Sequence, residues 1–172
     1  AKGVKFVTGS VVGKDITVED LMKKEGFESV FIGTGAEVPT TMNIPGEDLK
    51  GVYTANDYLT AVNIGKAYLP ENSGLLPQAD RVAIIGGGNV AMDACRCAKE
   101  VTVIYRRSRE EMPACDAEIH EAMAENIEFK FLTNPVAVKA GADGKVAALE
   151  CVQMQLGEPD ASGRRRPVAV EG

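Results

Sequence analysis

The sequence predicts a three-layer α/β fold that contains a parallel sheet, followed by a small antiparallel β-meander. Two observations predict the parallel sheet. A buried apolar run, Val82–Ile85, leads through three glycines into a helix, and a second β-branched strand, 101–105, follows that helix. A third observation predicts the meander, because apolar segments at 136–139, 146–156 and 165–170 are separated by glycine-containing turns.

The N-terminal part of the chain is predicted to contain short elements. Residues 3–12 alternate in part between apolar and polar side chains and predict two short strands. Thr17 followed by Asp20 is typical of a helix start, and the helix is expected to run to Lys24. Residues 29–32 predict a buried strand.

A second glycine-containing turn, Gly33-Thr34-Gly35, ends that strand. Pro39 follows instead of a helix, so this turn lacks the helix amides that bind phosphate. Taken alone, these residues therefore indicate only a strand that ends in a loop. The irregular segment 36–52 is the best candidate for a domain boundary, because prolines and glycines interrupt it.

The rest of the chain alternates between helices and strands. Helices are predicted for 54–68, 89–99 and 113–125, with Pro113 in the first turn of the last, and a further strand for 127–132. The second of these helices leaves only Glu100 as a connection to the next strand, where ~2–6 residues are usual. Either that helix is a turn shorter, or residues are absent between Ala98 and Val101, and we favour the second explanation.

The glycine-rich turn is the strongest candidate for a ligand site. Gly86, Gly88 and Ala91 form the pattern G-x-G-x-x-A between a strand and a helix. The exposed amides at the helix start, where Asn89 lies, and the positive end of the helix dipole would face a pyrophosphate. The pattern favours a Rossmann-like dinucleotide-binding domain, and an ordinary strand-to-helix turn is the alternative.

Three arginines, Arg106, Arg107 and Arg109, follow the second strand. In a dinucleotide-binding fold the end of this strand meets the adenosine ribose, where an acid binds the 2′-hydroxyl and arginines accommodate a 2′-phosphate. The planar, permanently charged guanidinium matches phosphate oxygens in pairs, so these residues favour NADP over NAD. A solvated basic strand end is the alternative interpretation.

Composition and charge argue against several classes of function. The net charge of −6 argues against nucleic acid as the main partner. No run of about 18 apolar residues and no signal peptide is visible, so no membrane association is predicted. The cysteines lack C-x-x-C spacing and are predicted to be reduced thiols of a cytoplasmic protein, with no metal ligand or disulfide among them: Cys95, Cys97, Cys115 and Cys151.

The sequence alone identifies no catalytic residue. His120, the only histidine, is flanked by acids and is interpreted as a surface or packing residue. Glu110 and Glu111 are predicted to be first-turn acids of the following helix, with contact to nicotinamide or ribose as the alternative. Asp93 is equally compatible with a functional role and with a favourable charge near a helix start. The arginine run 164–166 indicates a solvated hairpin or a contact with a partner.

Several longer motifs cover nearly the whole chain. The most specific is Tyr-Arg-Arg-Ser-Arg-Glu-Glu-Met-Pro-Ala at 105–114; the others lie at 31–36, 42–47, 82–93, 131–135 and 157–167. Together they resemble the small (beta) subunit family of NADPH-dependent glutamate synthase and related two-dinucleotide-binding flavoprotein oxidoreductases.

The resemblance implies which residues bind which cofactor. Those expected to line the NADPH pyrophosphate are Gly86, Gly88, Asn89 and Val90, and those expected to hold its 2′-phosphate are Arg106 and Arg107. Gly33, Thr34 and Gly35 match a segment that lies near FAD in the family. In such proteins hydride passes from NADPH in an inserted Rossmann-like domain to the flavin in a flanking one.

The resemblance also implies a central piece of a longer polypeptide. Residues 1–45 are expected to be a partial FAD-domain segment and connector, and residues 46–172 an NADPH-binding domain that is incomplete at its C-terminus. FAD would be bound mostly by residues outside the chain, Fe–S clusters would belong only to the full-length protein, and the piece alone would be catalytically silent. The implied partners are the FAD domain of the same polypeptide and a large catalytic or ferredoxin-type subunit. Family members usually carry a few more residues before Val101, as an absent loop requires.

Two functions of other classes stay open at this point. A non-catalytic dinucleotide-binding sensor or interaction module would have the same glycine turn without hydride transfer. A methyltransferase that uses S-adenosylmethionine also has a glycine-rich turn after its first strand. Because it expects an acid where this chain has Arg106, it ranks last.

Overall fold

The computed structural model of the chain describes residues 3–35, 40–76, 79–161 and 163–170. The chain divides into two compact units, Ala1–Glu37 and Val38–Gly172, which we call unit 1 and unit 2. The helices are α1 (Val18–Lys23), α2 (Ala55–Asn63), α3 (Asn89–Cys95) and α4 (Asp116–Ala124), and the strands are β1 (Val82–Ile85), β2 (Val101–Ile104), β3 (Glu128–Lys130), β4 (Thr133–Ala140), β5 (Val146–Pro159) and β6 (Arg165–Ala169). Short 3-10 helices lie at Pro70–Leu75 and Arg109–Glu111. The assignment of 1–45 and 46–172 to two functional domains stays a prediction.

Unit 1 contains α1 and no strand among its described residues, so the strands predicted at 3–12 and 29–32 are wrong. A strand is stable only when neighbouring strands pair with its backbone groups. The described part of unit 1 offers only an isolated bridge between Val12 and Ile16. The predicted helix start is confirmed, because Asp20 N–H donates to Thr17 Oγ1 at 3.0 Å and the Asp20 carboxylate accepts from Thr17 N–H at 3.1 Å.

The parallel sheet of unit 2 has the strand order β1-β2-β3. Val82 lies opposite Val101, and Ile85 lies opposite Ile104, so β1 and β2 end together. α3 connects β1 to β2 and α4 connects β2 to β3, as a parallel sheet requires. The predicted alternation of strand and helix in this region is therefore confirmed.

The connection between α3 and β2 corrects one expectation. α3 ends at Cys95 and not near Lys99, so residues 96–100 are available to reverse the chain. Glu100 takes a positive φ of 41° at the end of this connection. The structure thus has the shorter helix of the two alternatives. The absence of residues between Ala98 and Val101 stays a prediction.

The two other helices of unit 2 also differ from their predicted limits. α2 ends at Asn63 and not near Tyr68, because Ile64 and Gly65 both donate to the carbonyl of Thr60 and close the helix. α4 begins at Asp116, later than predicted, since the residues before it form the 3-10 helix Arg109–Glu111.

The core of unit 2 lies between the parallel sheet and helices α3 and α4. Its largest fully buried side chains are Met92 and Cys95 of α3, Val103 of β2 and Ile119 of α4. Complete burial of one such aliphatic side chain is worth roughly 1.5–3 kcal/mol. This packing holds both helices against the sheet, and with them the turn that joins β1 to α3.

The antiparallel meander has the strand order β4-β5-β6, as predicted. Its register shifts between Pro135 and Ala137 and again between Leu156 and Pro159, as at a β-bulge. Thr133 N–H donates to the carbonyl of Tyr105 at 3.1 Å. This bond joins the meander to the segment that follows β2. The parallel and antiparallel sheets together confirm the predicted mixed α/β fold.

The buried thiol of Cys95 is expected to be protected from alkylation. Its side chain is fully buried, Sγ donates to Met92 O at 3.1 Å, and burial raises the pKa of the thiol to about 11. Because the thiolate is the reactive form, iodoacetamide at about pH 8 should modify exposed Cys115 in the folded chain and Cys95 only after unfolding. Peptide mass spectrometry over a time course would measure both rates. Equal rates in the folded chain would contradict this packing.

Candidate functional site

The glycine turn and the arginines after β2 lie at one edge of the parallel sheet. Gly86 N–H donates to Ile104 O at 3.1 Å, so the turn begins beside the last residue of β2. Tyr105, Arg106 and Arg107 follow immediately. Ligands of open α/β sheets bind outside the carboxyl ends of the strands, and this edge is such a place.

The backbone conformation and the space available to a side chain differ among the three glycines of the turn. Gly86 has a φ of +136°, which L side chains rarely adopt. Gly87 is buried, and a Cβ there would lie 2.8 Å from Cε2 of the Tyr105 ring. Gly88 has φ −90° and ψ 172°, which suit any residue, and a Cβ there would meet nothing within 4 Å. The open space is therefore over Gly88, the glycine that lets a pyrophosphate approach the backbone.

The first turn of α3 begins at Gly88. The amides of Ala91 and Met92 donate to the carbonyl of Gly88 at 3.0 and 3.2 Å. The amides of Asn89 and Val90 come before Ala91, whose amide is the first to donate within the helix, so they have no helical partner. Both residues are exposed, and the side chain of Val90 is 46% exposed. These two amides and the space over Gly88 fit the pyrophosphate that the sequence predicts.

Asn89 has a structural role in addition to its predicted one. Its Oδ1 accepts from Cys115 N–H at 2.9 Å, at the residue that precedes α4. Ala114 N–H donates to Gly87 O at 3.0 Å. The segment that leads from β2 to α4 is thus hydrogen-bonded directly to the glycine turn.

Tyr105 lies at the candidate site and was not among the residues expected there from the sequence. Its ring is 6% exposed beneath Gly87, and its hydroxyl donates to Glu111 O at 2.8 Å. The sequence feature that could have indicated a role for Tyr105 was its position directly before two arginines. Its burial against a glycine of the turn after β1 could not be read from the local pattern.

The two arginines predicted to bind the 2′-phosphate differ in their surroundings. Arg106 is exposed. Arg107 is half-buried; its Nε donates to the carbonyl of Arg165 at 3.0 Å, and its own carbonyl accepts from Leu132 N–H at 3.0 Å. Arg107 is therefore held in place from β6, while Arg106 is available to a ligand.

Glu111 and Arg165 form an ion pair next to this arginine. Nε and Nη2 of Arg165 both lie 2.5 Å from Oε1 of Glu111, whose side chain is only 9% exposed. Burial opposes ionisation, but the bonds from Ser108 and Arg165 outweigh it and hold the pKa of Glu111 below its usual value. Glu111 is thus not a first-turn acid of α4, and Arg165 does not belong to a purely solvated hairpin.

A shallow cleft elsewhere in unit 2 does not match the predicted ligand. It is lined by Leu59, Asn63, Asp93, Arg96, Cys97 and Glu125. Its cation is already paired, because Arg96 Nη1 lies 2.8 Å from Glu121 and Nη2 lies 2.8 Å from Glu125. Asp93 lines this cleft on the last part of α3, away from the first turn of that helix.

The predicted flavin-contacting residues belong to unit 1. Gly33, Thr34 and Gly35 are exposed. A Cβ on Gly33 would lie 2.9 Å from the Phe31 ring, and Gly35 has a φ of +81°. Pro39, on which the sequence-based interpretation of this turn depends, lies outside the described residues. The role of these three residues stays a prediction.

The described ranges of unit 1 and unit 2 also bear on metal binding and on membrane crossing. Within those ranges no group of three or more His, Cys, Asp or Glu side chains could hold a metal ion. None of the helices that the structure describes is long and apolar enough to cross a bilayer. His120 lies exposed on α4, in line with its interpretation as a surface residue.

Sequence comparison finds a family and several relatives. The family described as pyridine nucleotide-disulphide oxidoreductase matches residues 1–161. The NADP(+)-dependent formate dehydrogenase subunit beta of Moorella thermoacetica is 41% identical over 179 aligned residues, covering 100% of this chain and 24% of that protein. The glutamate synthase (NADPH) small chain of Escherichia coli (strain K12) is 35% identical over 178 residues, covering 99% of this chain and 37% of that protein.

Structural comparison gives a consistent fold. FprA of Mycobacterium tuberculosis in complex with NADPH aligns with a TM-score of 0.67 and 20% identity, covering 94% of this chain and 50% of that one. At this identity the likeness shows the fold alone. The chain spans between 24% and 37% of the length of the two sequence relatives named above.

Proposed function

The chain belongs to the pyridine nucleotide-disulphide oxidoreductase family, and from this premise we propose that unit 2 binds NADPH for hydride transfer to a flavin. The observation that carries the proposal is the open space over Gly88, at the same sheet edge as Arg106. A dinucleotide with a 2′-phosphate needs both features, because its pyrophosphate and its 2′-phosphate are attached to the 5′ and 2′ positions of the same adenosine ribose.

Each part of the site supports one part of the ligand. The amides of Asn89 and Val90 donate to the pyrophosphate over Gly88, and the Tyr105 ring supports the turn from below. Arg106 binds the 2′-phosphate, since its exposed guanidinium matches phosphate oxygens in pairs. Arg107 contributes from its anchored position. When bound, NADPH supplies the hydride, and the chain supplies position and charge.

The longer protein is proposed to contain the other half of the reaction. Gly33, Thr34 and Gly35 contact FAD, whose remaining contacts come from residues outside the chain. The two relatives compared above are named as a beta subunit and a small chain, which supports a partner subunit, of large catalytic or ferredoxin type. Fe–S clusters in the longer protein and a cytoplasmic location complete the proposal.

Arg106→Ala is expected to weaken NADPH binding and to leave NADH binding unchanged. A hydrogen bond to a charged group contributes about 1.5–3 kcal/mol, which corresponds to roughly a ten- to hundredfold change in Kd. Fluorescence titration of the chain with NADPH and with NADH would measure the two affinities separately.

Arg81→Ala is the matched control, because it removes the same charge from an exposed arginine that precedes β1, at the other end of the sheet. It should leave both affinities unchanged. Equal affinity of the wild-type chain for the two dinucleotides, unmoved by Arg106→Ala, would reject the 2′-phosphate assignment. NADPH binding without flavin reduction in the full-length protein would favour a non-catalytic sensor instead.

A further inference from the structure

We propose that Glu111 and Arg165 are positioning residues that orient Arg107 and thereby set the preference for a 2′-phosphorylated dinucleotide. The inference rests on the proposed function and adds to it two residues from outside the glycine turn and the arginine pair. Arg165 lies on β6, and its contact with Arg107 spans 58 residues of sequence.

The first step concerns how Arg107 is held. A free arginine side chain on a surface loses up to about 2 kcal/mol of rotamer entropy when a ligand immobilises it. Arg107 has already lost part of this freedom, because its Nε donates to the Arg165 carbonyl at 3.0 Å. Its Nη groups are therefore presented in a restricted direction before a phosphate arrives, and such preorganisation lowers the cost of binding.

The second step concerns what holds the Arg165 carbonyl. The Arg165 side chain is pinned by Glu111, with Nε and Nη2 each 2.5 Å from one carboxylate oxygen. The Glu111 carboxylate is 9% exposed, so solvent screens this pair less than a surface ion pair. A residue fixed by its side chain keeps its own carbonyl in place for Arg107.

The third step connects this pair to the glycine turn. The Glu111 carbonyl accepts from the Tyr105 hydroxyl at 2.8 Å, and the Tyr105 ring lies under Gly87. A continuous path of contacts thus runs from the turn to the anchored arginine, through Tyr105, Glu111, Arg165 and Arg107. Because Tyr105 binds the Glu111 backbone carbonyl and not its carboxylate, loss of the ion pair removes the support of Arg107 and leaves the glycine turn in place.

A direct contact between Arg165 and the phosphate is the competing explanation. Two of its guanidinium nitrogens are engaged by Glu111, which also neutralises its charge. A positioning role through Arg107 is therefore favoured, and the two explanations make different predictions for a double variant.

Arg165→Met in the full chain is expected to raise the Kd for NADPH by about three- to tenfold, in the lower part of the range for coupled neighbours, and to leave the Kd for NADH unchanged. Adenosine 2′,5′-bisphosphate and 5′-AMP are used as probes in the same titration, because they differ only in the 2′-phosphate. Arg165→Lys keeps an ion pair with Glu111 and should restore most of the preference. Glu111→Gln should reproduce the effect of Arg165→Met.

The decisive measurement is the double variant with Arg107→Ala. If Arg165 acts through Arg107, adding Arg165→Met to Arg107→Ala causes no further loss of NADPH affinity. An additional loss in that background would overturn the proposal, as would an equal loss for NADPH and NADH. Glu150→Gln is the matched control, since it breaks the exposed Lys139–Glu150 pair, 2.6 Å apart, between β4 and β5 of the same meander. Absence of any NADPH preference in the wild-type chain would instead reject the proposed function itself.

Discussion

Gly88→Val is expected to abolish NADPH binding while the chain stays folded. The backbone at Gly88, with φ −90° and ψ 172°, accepts a β-branched residue, and the added Cβ meets no protein atom within 4 Å. The new side chain would occupy the space over the first turn of α3 and keep a pyrophosphate from the amides of Asn89 and Val90. Loss of two hydrogen bonds to a charged group, each worth about 1.5–3 kcal/mol, corresponds to a loss of affinity of roughly a hundredfold or more.

Calorimetric titration with NADPH and thermal unfolding of the same samples would test this separation of binding from folding. Gly74→Val is the matched control, because it adds the same side chain to open space in the short helix Pro70–Leu75. Only the Gly88 variant should lose affinity, and both should unfold close to the wild-type Tm. Unchanged NADPH affinity in Gly88→Val would show that the pyrophosphate does not bind at this turn.

The sheet and the glycine turn could be predicted because their determinants are local. Two apolar runs rich in β-branched residues predicted β1 and β2. The glycines and the helical pattern between these runs predicted α3. Helix ends were predicted less well. The end of α3 at Cys95 depends on how the chain must reverse to pair β2 with β1, which is a constraint from the sheet and not from the helix sequence.

Unit 1 illustrates a different limit. Its apolar alternation around Phe6 and its apolar run ending at Ile32 predicted strands, yet neither forms one in the described residues. The side chain of Phe6 is 86% exposed and that of Phe31 is 94% exposed, so neither is packed. A strand pattern expresses what a segment can do when a partner strand is present, and unit 1 as described supplies none.

The candidate site combines local and long-range determinants. Gly86, Gly88 and Arg106 were identified from motifs in which every residue is close in sequence. The anchoring of Arg107 by Arg165 was not, because it depends on the meander folding back beside the segment that follows β2. A short motif can name the residues that meet a ligand, but the residues that orient them come from the rest of the fold.

Gly87→Val is expected to destabilise unit 2, in contrast to the same substitution one residue later. A Cβ at Gly87 would lie 2.8–3.0 Å from three atoms of the Tyr105 ring. The ring has little room to yield, because it is 6% exposed and its hydroxyl is bonded to Glu111 O at 2.8 Å. Overpacking of this kind costs about 1–3 kcal/mol and sometimes more. For a chain of this length, that cost lowers Tm by roughly 2–4 °C per kcal/mol.

The loss of stability in Gly87→Val is attributed to contact with the Tyr105 ring, so it should depend on the presence of that ring. Tyr105→Ala alone removes a buried aromatic side chain and is expected to cost about 3–5 kcal/mol. In the double variant the valine enters the space that the ring vacates, and the combined cost should fall below the sum of the two single costs by at least about 0.5 kcal/mol. Chemical denaturation of the four proteins measures this coupling. Strictly additive costs would mean that contacts other than Tyr105 exclude a side chain at Gly87, and the ring could then no longer be regarded as the support of the turn.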